Sequence, residues 1–224
     1  MEGIVTAIQP QRQRGGRRVN VFVDGRYAFS LERDLADLVR VGQPISELKT
    51  AELLLEDEQA RAFEGALAFL SYRPRSEREV RERLQKKDVP PPILESVIER
   101  LRRLRLVDDQ EFARYWVEQR QTHRPRGARL LRQELRRKGV DTDTTTDVLE
   151  QSEETEDPVA AACRAGQRKA KALRALDSRE FQQKLGQFLL RRGFDYETAR
   201  GACRRLWEER EGSRSTGGLP ERET

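Results

Sequence analysis

Three stretches of this chain, spaced about fifty residues apart, can be laid over one another, which restricts the fold to a series of stacked supersecondary units. They are EVRERLQKKDVPPPILESVIERL (Glu79–Leu101), LLRQELRRKGVDTDTTTDVLEQS (Leu130–Ser152) and KLGQFLLRRGFDYETARGACRRL (Lys184–Leu206). Val80 and Leu84 fall on Leu131 and Leu135 and on Leu185 and Leu189, each pair one helical turn apart. Lys87-Asp88, Lys138-Gly139 and Arg192-Gly193 then close the helix, with basic residues in the last turn and Gly at the left-handed position that follows. In the first two units the match extends upstream, where Tyr72-Arg73-Pro74-Arg75-Ser76 aligns with His123-Arg124-Pro125-Arg126-Gly127.

Each unit reads as three helices: residues 59–71, 76–87 and 92–104; then 109–122, 127–138 and 142–151; then 157–175, 178–192 and 195–209. Ser76 with Glu79 has the pattern of a capping box, and Asp108 with Glu111 offers a similar cap. The opening segment has a different period. Val19, Val21 and Val23 alternate with polar neighbours, Asp24-Gly25 follows, and Tyr27, Phe29 and Leu31 alternate again, which predicts a hairpin with a type I′ turn. A strand over Gly3–Ile8, before a basic loop from Arg12 to Arg18, would make the sheet three-stranded. The expected fold is therefore mainly α, with three tandem three-helix repeats in an elongated array behind a small antiparallel β extension. The expected divisions are 1–45 (extension), 46–107 (linker helix and repeat 1), 108–152 (repeat 2), 153–211 (repeat 3) and 212–224, a tail without apolar periodicity expected to be disordered. With 36% hydrophobic and 37% charged residues, the chain lacks the material for one large core, but narrow apolar stripes suffice for small modules.

A net charge of +5 favours an anionic partner, and its distribution says more. From Arg120 to Lys138 the chain carries Arg120, Arg124, Arg126, Arg129, Arg132, Arg136, Arg137 and Lys138 against one acid, Glu134. An acidic run, Glu150, Glu153, Glu154, Glu156 and Asp157, precedes a second basic block of Arg164, Arg168, Lys169, Lys171 and Arg174. Cys163 and Cys203 lie far apart, and His123 is the sole histidine, which argues against a disulfide framework, a metal site or a cofactor. No phosphate-binding GxxxxGK[ST] loop occurs, and no His stands by a nucleophile with an orienting acid, so the expectation is a protein without catalytic chemistry. The start lacks the apolar stretch of a signal peptide and nothing approaches a membrane span, which predicts residence in the cytoplasm or on the nucleoid and no membrane contact.

The segments LSYRPRSEREVRERL and LVDDQEFARYWVEQRQTHRPRGARLLRQELRRKGV, and more loosely FLLRRGFDYETARGA, resemble the RecX family of RecA modulators. The DDxxFAxxW pattern (Asp108, Asp109, Phe112, Ala113, Trp116) followed by Arg120, RPRG and ELRRKG carries the likeness, which covers residues 59 to 207. The resemblance implies a non-enzymatic protein, expected to be monomeric, that lies in the groove of a RecA filament on single-stranded DNA. There it would restrain ATP hydrolysis, strand exchange and repressor coprotease activity, in homologous recombination, DNA repair and the SOS response. The third repeat departs from the pattern in lacking an RPRG or RPRS segment.

Arg73, Arg75, Arg124 and Arg126 flank prolines that stiffen the approach to a helix; they either hold guanidinium groups toward phosphates or carboxylates, or cap locally. Arg129, Arg132 and Arg136 fall on the face opposite Leu131 and Leu135, which is either a binding face or a solvated one. With Arg120, Lys138, Arg168, Lys169 and Lys171 these are the candidate contacts to RecA or DNA. Phe112 and Trp116, one turn apart, are expected in the core and not as base-stacking aromatics, and Asp108 and Asp109 are expected as caps. The competing function is direct binding to single- or double-stranded DNA by Arg-rich helices.

Overall fold

The computed structural model describes residues 2–11 and 17–216; part of the basic loop and the end of the expected tail lie outside the described residues. Strands β1 (Gly3–Pro10), β2 (Arg18–Val23), β3 (Arg26–Glu32) and β4 (Pro44–Ile45) form an antiparallel sheet in the order β3-β2-β1-β4. Asp24 and Gly25 both have positive φ, 48° and 75°, the geometry that the Asp-Gly hairpin requires. β4, a two-residue strand beside β1, was not expected, because two residues offer no alternation to read. The short helix α1 (Arg33–Ala36) follows β3.

Helix α2 (Glu47–Leu70) is continuous, merging the linker helix expected from residue 46 with the helix expected over 59–71. Ser46 caps it by accepting the Lys49 amide, no Pro lies in it, and it runs through Gly65 without a break. Its two ends have different work. Leu53, beyond residue 45, lies fully buried in the core of the sheet with Val5, Val21 and Leu31. Asp57, 4% exposed, accepts two bonds from the Arg18 guanidinium at 3.1 and 2.9 Å and one from the Glu32 amide at 2.7 Å. Farther along, Ala62, Phe63 and Ala66 are buried in the first repeat, and the Arg100 guanidinium lies 4.0 Å from the centre of the Phe63 ring.

Helices α3 (Glu77–Gln85) and α4 (Pro91–Arg103) complete the first repeat; α5 (Asp109–His123), α6 (Ala128–Arg137) and α7 (Thr142–Thr155) form the second. The third comprises α8 (Pro158–Ala172), α9 (Ser178–Arg191) and α10 (Tyr196–Thr216), the last running past the expected start of the tail at 212. The superposed apolar pairs Val80 and Leu84, Leu131 and Leu135, and Leu185 and Leu189 are all buried. The second helix of each repeat ends in the same turn. Asp88, Gly139 and Gly193 have φ of 56°, 88° and 89°, and the next amide returns to a carbonyl five residues back: Val89 to Leu84, Val140 to Leu135, Phe194 to Leu189.

Two compact units emerge. One holds the chain up to Arg73 with Val80–Leu106; the other holds Pro74–Glu79 with the second and third repeats. The second unit has one core around Phe112, Leu131, Leu135 and Leu149, and another around Phe181, Leu185, Leu189 and Leu206. Phe112 and Trp116 belong to the former as expected, with ring centres 5.8 Å apart.

Candidate functional site

The basic residues singled out in the sequence have separate fates in the second unit. Glu134, the one acid in the first basic block, is buried within α6 and accepts the Trp116 Nε1–H at 2.8 Å and the Arg120 Nε–H at 2.8 Å. It also pairs with Arg126, and the Arg120 guanidinium lies 4.2 Å from the centre of the Trp116 ring. Glu134 thus offsets Arg120 and Arg126 from inside the repeat. Sequence position suggested only a lone acid among arginines. Glu134 lies one residue before the core position Leu135, on the edge of the apolar stripe, and that was the available signal.

Further residues go into a joint between successive repeats. The Ser76 hydroxyl accepts the Glu79 amide at 3.3 Å, while the Ser76 amide donates to Glu79 Oε2 at 3.4 Å, the predicted capping box. The same hydroxyl donates to the Lys138 carbonyl at 2.7 Å, so the start of α3 docks on the turn that ends α6. Glu79 Oε1 then takes Lys138 Nζ at 2.8 Å and Arg75 at 3.9 Å. Asp109 adds a third tie by accepting the Glu77 amide at 2.8 Å, while Asp108 caps its own helix through the Gln110 and Glu111 amides. Burial pushes the Asp109 carboxyl above its ordinary range despite that bond, helped by the negative charges of Glu77, Asp108 and Asp141.

The joint recurs one repeat later. The Gly127 amide donates to the Arg192 carbonyl at 3.0 Å, and a Cβ on Gly127 would stand 2.2 Å from the Gly193 oxygen, so only glycine permits the approach. Arg129 reaches across to the Leu190 carbonyl at 2.7 Å.

Arg124, Arg132, Arg136, Arg168, Lys169 and Lys171 are exposed and form no side-chain ion pair among the described residues; Arg73 is half-buried. They do not share one surface. Arg124 and Arg168 line a cleft of about 680 Å³ with Arg126, Arg164, Arg191 and Arg192. Arg132 borders a different cavity, beside Glu153, Glu156 and Asp195, and Lys171 a third, with Arg174 and Arg210. Every acid or base group in the first cleft, apart from His123, is an arginine. Arg164 pairs with Glu156, and Arg192 stacks on Phe188 with 5.0 Å to the ring centre. Burial lowers the pKa of Arg126, as do the positive charges of Arg120, Arg192 and Arg124. Arg191 and Arg192 were missed as site residues because their RRG segment was read only as a helix end.

Such a surface can bind anions. Burial pushes the Cys203 thiol up to about 11 and raises that of Cys163. Among the described residues no cluster of His, Cys, Asp and Glu could hold a metal ion, and no helix is long and apolar enough to cross a membrane.

Three family profiles match the chain in order: RecX, first three-helix domain, over residues 62–101; second three-helix domain, over 108–149; and third three-helix domain, over 155–203. "Regulatory protein RecX" of Bacillus subtilis (strain 168) is 34% identical over 200 residues, spanning 88% of this chain and 75% of that protein. The chain belongs to the RecX family. RecX of Bacillus licheniformis is 33% identical over 201 residues, 88% of this chain and 75% of that protein. A crystal structure of regulatory protein RecX superposes with a TM-score of 0.68 at 27% identity, covering 87% of this chain and 96% of the other. RecX from Lactobacillus salivarius, at 24% identity and a TM-score of 0.62 over 67% of this chain and 97% of that one, shares the fold. The chain is thus a RecX-family regulatory protein built of three three-helix domains behind an antiparallel sheet.

Proposed function

We propose that this chain binds RecA filaments assembled on single-stranded DNA, lying in the filament groove, and lowers their ATPase, strand-exchange and coprotease activities as a monomeric, non-enzymatic cytoplasmic regulator of recombinational repair and the SOS response. The observation that carries the reading is the arginine-lined cleft on a RecX-family repeat: Arg124, Arg126, Arg164, Arg168, Arg191 and Arg192 line it with no carboxylate among the described lining residues, and of these Arg126 and Arg164 are paired with Glu134 and Glu156. A concave basic surface suits a partner that presents phosphates and acidic side chains together. Repetition suits a periodic partner, because several modest contacts on linked modules add through effective concentration. Co-sedimentation tests this. The protein should pellet with RecA filaments far more strongly than with bare single-stranded DNA, and equal pelleting with both would contradict the proposal.

A second reading, direct DNA binding through α6, has Arg132 and Arg136 in its favour, both exposed and without ion pairs among the described residues. It requires tight, salt-steep affinity for bare duplex.

A further inference from the structure

The cavity that Lys171 borders lies within the third repeat and shares no lining residue with the arginine cleft. It opens between the end of α8, the turn into α9 and the middle of α10, with a volume of about 720 Å³, a size that holds a small organic molecule. Phe181 and Leu206, both buried, and Ala170 form its apolar side. Lys171 and Arg174, exposed and without ion pairs among the described residues, line it together with Arg210. Glu209 is the one carboxylate among the described lining residues, and Arg205 stands 3.5 Å from it.

Arg210 is the unusual member of this set. Its guanidinium carbon lies 4.1 Å from the centre of the Trp207 ring and 5.8 Å from that of Phe181, and the two rings meet edge to face at 5.2 Å. The rings hold the face of the guanidinium but leave its edge, where the N–H groups point, without acceptors. Nε and Nη1 are buried with no hydrogen-bond partner among the described residues, and Glu211 Oε1, 3.9 Å from Nε, is too distant to accept. Buried donors of a charged group are costly to leave unanswered. Two of them beside a cationic cavity call for an acceptor that comes from outside the fold.

We infer that this cavity binds a small amphipathic oxyanion, a phosphate or carboxylate head carried on an apolar or aromatic body. The head sits among Lys171, Arg174 and Arg210, where a small turn of the Arg210 guanidinium about its last bonds brings Nη1 or Nε onto an oxygen. The body lies against Phe181, Leu206 and Ala170, and its removal from water adds to the affinity. A bare inorganic anion gains only the charges, two of which are exposed and already well hydrated. An uncharged aromatic gains only the apolar side. Three cations with a carboxylate beside them suit one head group better than a run of phosphates.

The test titrates the full chain, isotopically labelled on nitrogen, with phenyl phosphate and with phenylacetate, and follows the two indole N–H signals by magnetic resonance. The Trp207 signal should shift and saturate with at least one probe, because Arg210 stacks on that ring, while the Trp116 signal, bonded to Glu134, stays in place. The probe that saturates at the lower concentration names the head group. Inorganic phosphate and benzyl alcohol, each half of the ligand, should bind about tenfold more weakly or worse. Arg210→Lys keeps the charge and loses the fork, and Arg174→Gln removes an exposed charge; each should lower affinity about tenfold with the circular dichroism unchanged. Arg174→Gln carries the test alone should Arg210→Lys unfold. Absence of a saturable Trp207 shift with both probes would overturn the inference. It fails equally if benzyl alcohol or inorganic phosphate binds as tightly as the better probe, or if every folded variant keeps full affinity. Displacement of phenyl phosphate by oligothymidylate would assign the cavity to a nucleic-acid surface and sink the inference, leaving the proposed function untouched.

Discussion

Replacing Glu134 by alanine should cost this protein about 2–5 kcal/mol, far more than a charge in a basic surface run ordinarily contributes. The carboxylate is 10% exposed and satisfies Trp116 Nε1–H, Arg120 Nε–H and the Arg126 guanidinium. Removing it orphans the indole donor, about 1–3 kcal/mol for a buried group left unpaired. It also strands two guanidinium groups, whose side chains are 28% and 26% exposed. Full burial would make that loss about 3–5 kcal/mol, and partial access to water reduces it to about 1–2. Glu134→Gln keeps the shape and one acceptor oxygen, and should cost about half as much as the alanine. The assay is urea unfolding followed by circular dichroism, with Trp116 fluorescence reporting the site itself. A loss below about 0.5 kcal/mol for Glu134→Ala, the value of an exposed pair, would refute the reasoning.

Gly127→Ala forces a Cβ to within 2.2 Å of the Gly193 backbone and should destabilise by about 2–3 kcal/mol, checked by thermal unfolding; a change under 0.5 would mean that the joint yields freely. Cys203, with its thiol pushed up to about 11 by burial, should resist a thiol reagent at neutral pH until urea unfolds the third repeat; labelling at the rate of a free thiol would contradict its burial. Asp109 has a carboxyl pKa raised mainly by burial, so the native state binds its proton more tightly than the unfolded chain does, and this group's contribution to stability falls as pH rises from the ordinary Asp value through the raised one. Asp109→Asn keeps an oxygen for the Glu77 amide and should raise the urea midpoint at neutral pH, with the gain shrinking as the solution is acidified; a lower midpoint at neutral pH would refute it.

The repeats were legible because their signals are local and periodic. Leu131 and Leu135 one turn apart, Ser76 before Glu79, and Gly139 at the left-handed position each state a backbone condition within a few residues. The Asp24-Gly25 turn announced its hairpin in the same way. What escaped was the pairing of distant groups. No spacing rule connects Asp57 to Arg18, 39 residues away, or Ser76 to the Lys138 carbonyl, 62 residues away. Counting charges along the chain gave Glu134 the weight of any acid, whereas its burial beside Arg120 and Arg126 lets it offset two arginines.

The central claim is that this chain regulates RecA filaments, and the most direct measurement is the steady-state ATPase of RecA on single-stranded DNA as the protein is added. The account predicts progressive slowing at levels comparable to the filament, weakened in Arg124→Gln/Arg168→Gln/Arg191→Gln. An unchanged hydrolysis rate at those levels, with the protein folded, would contradict it.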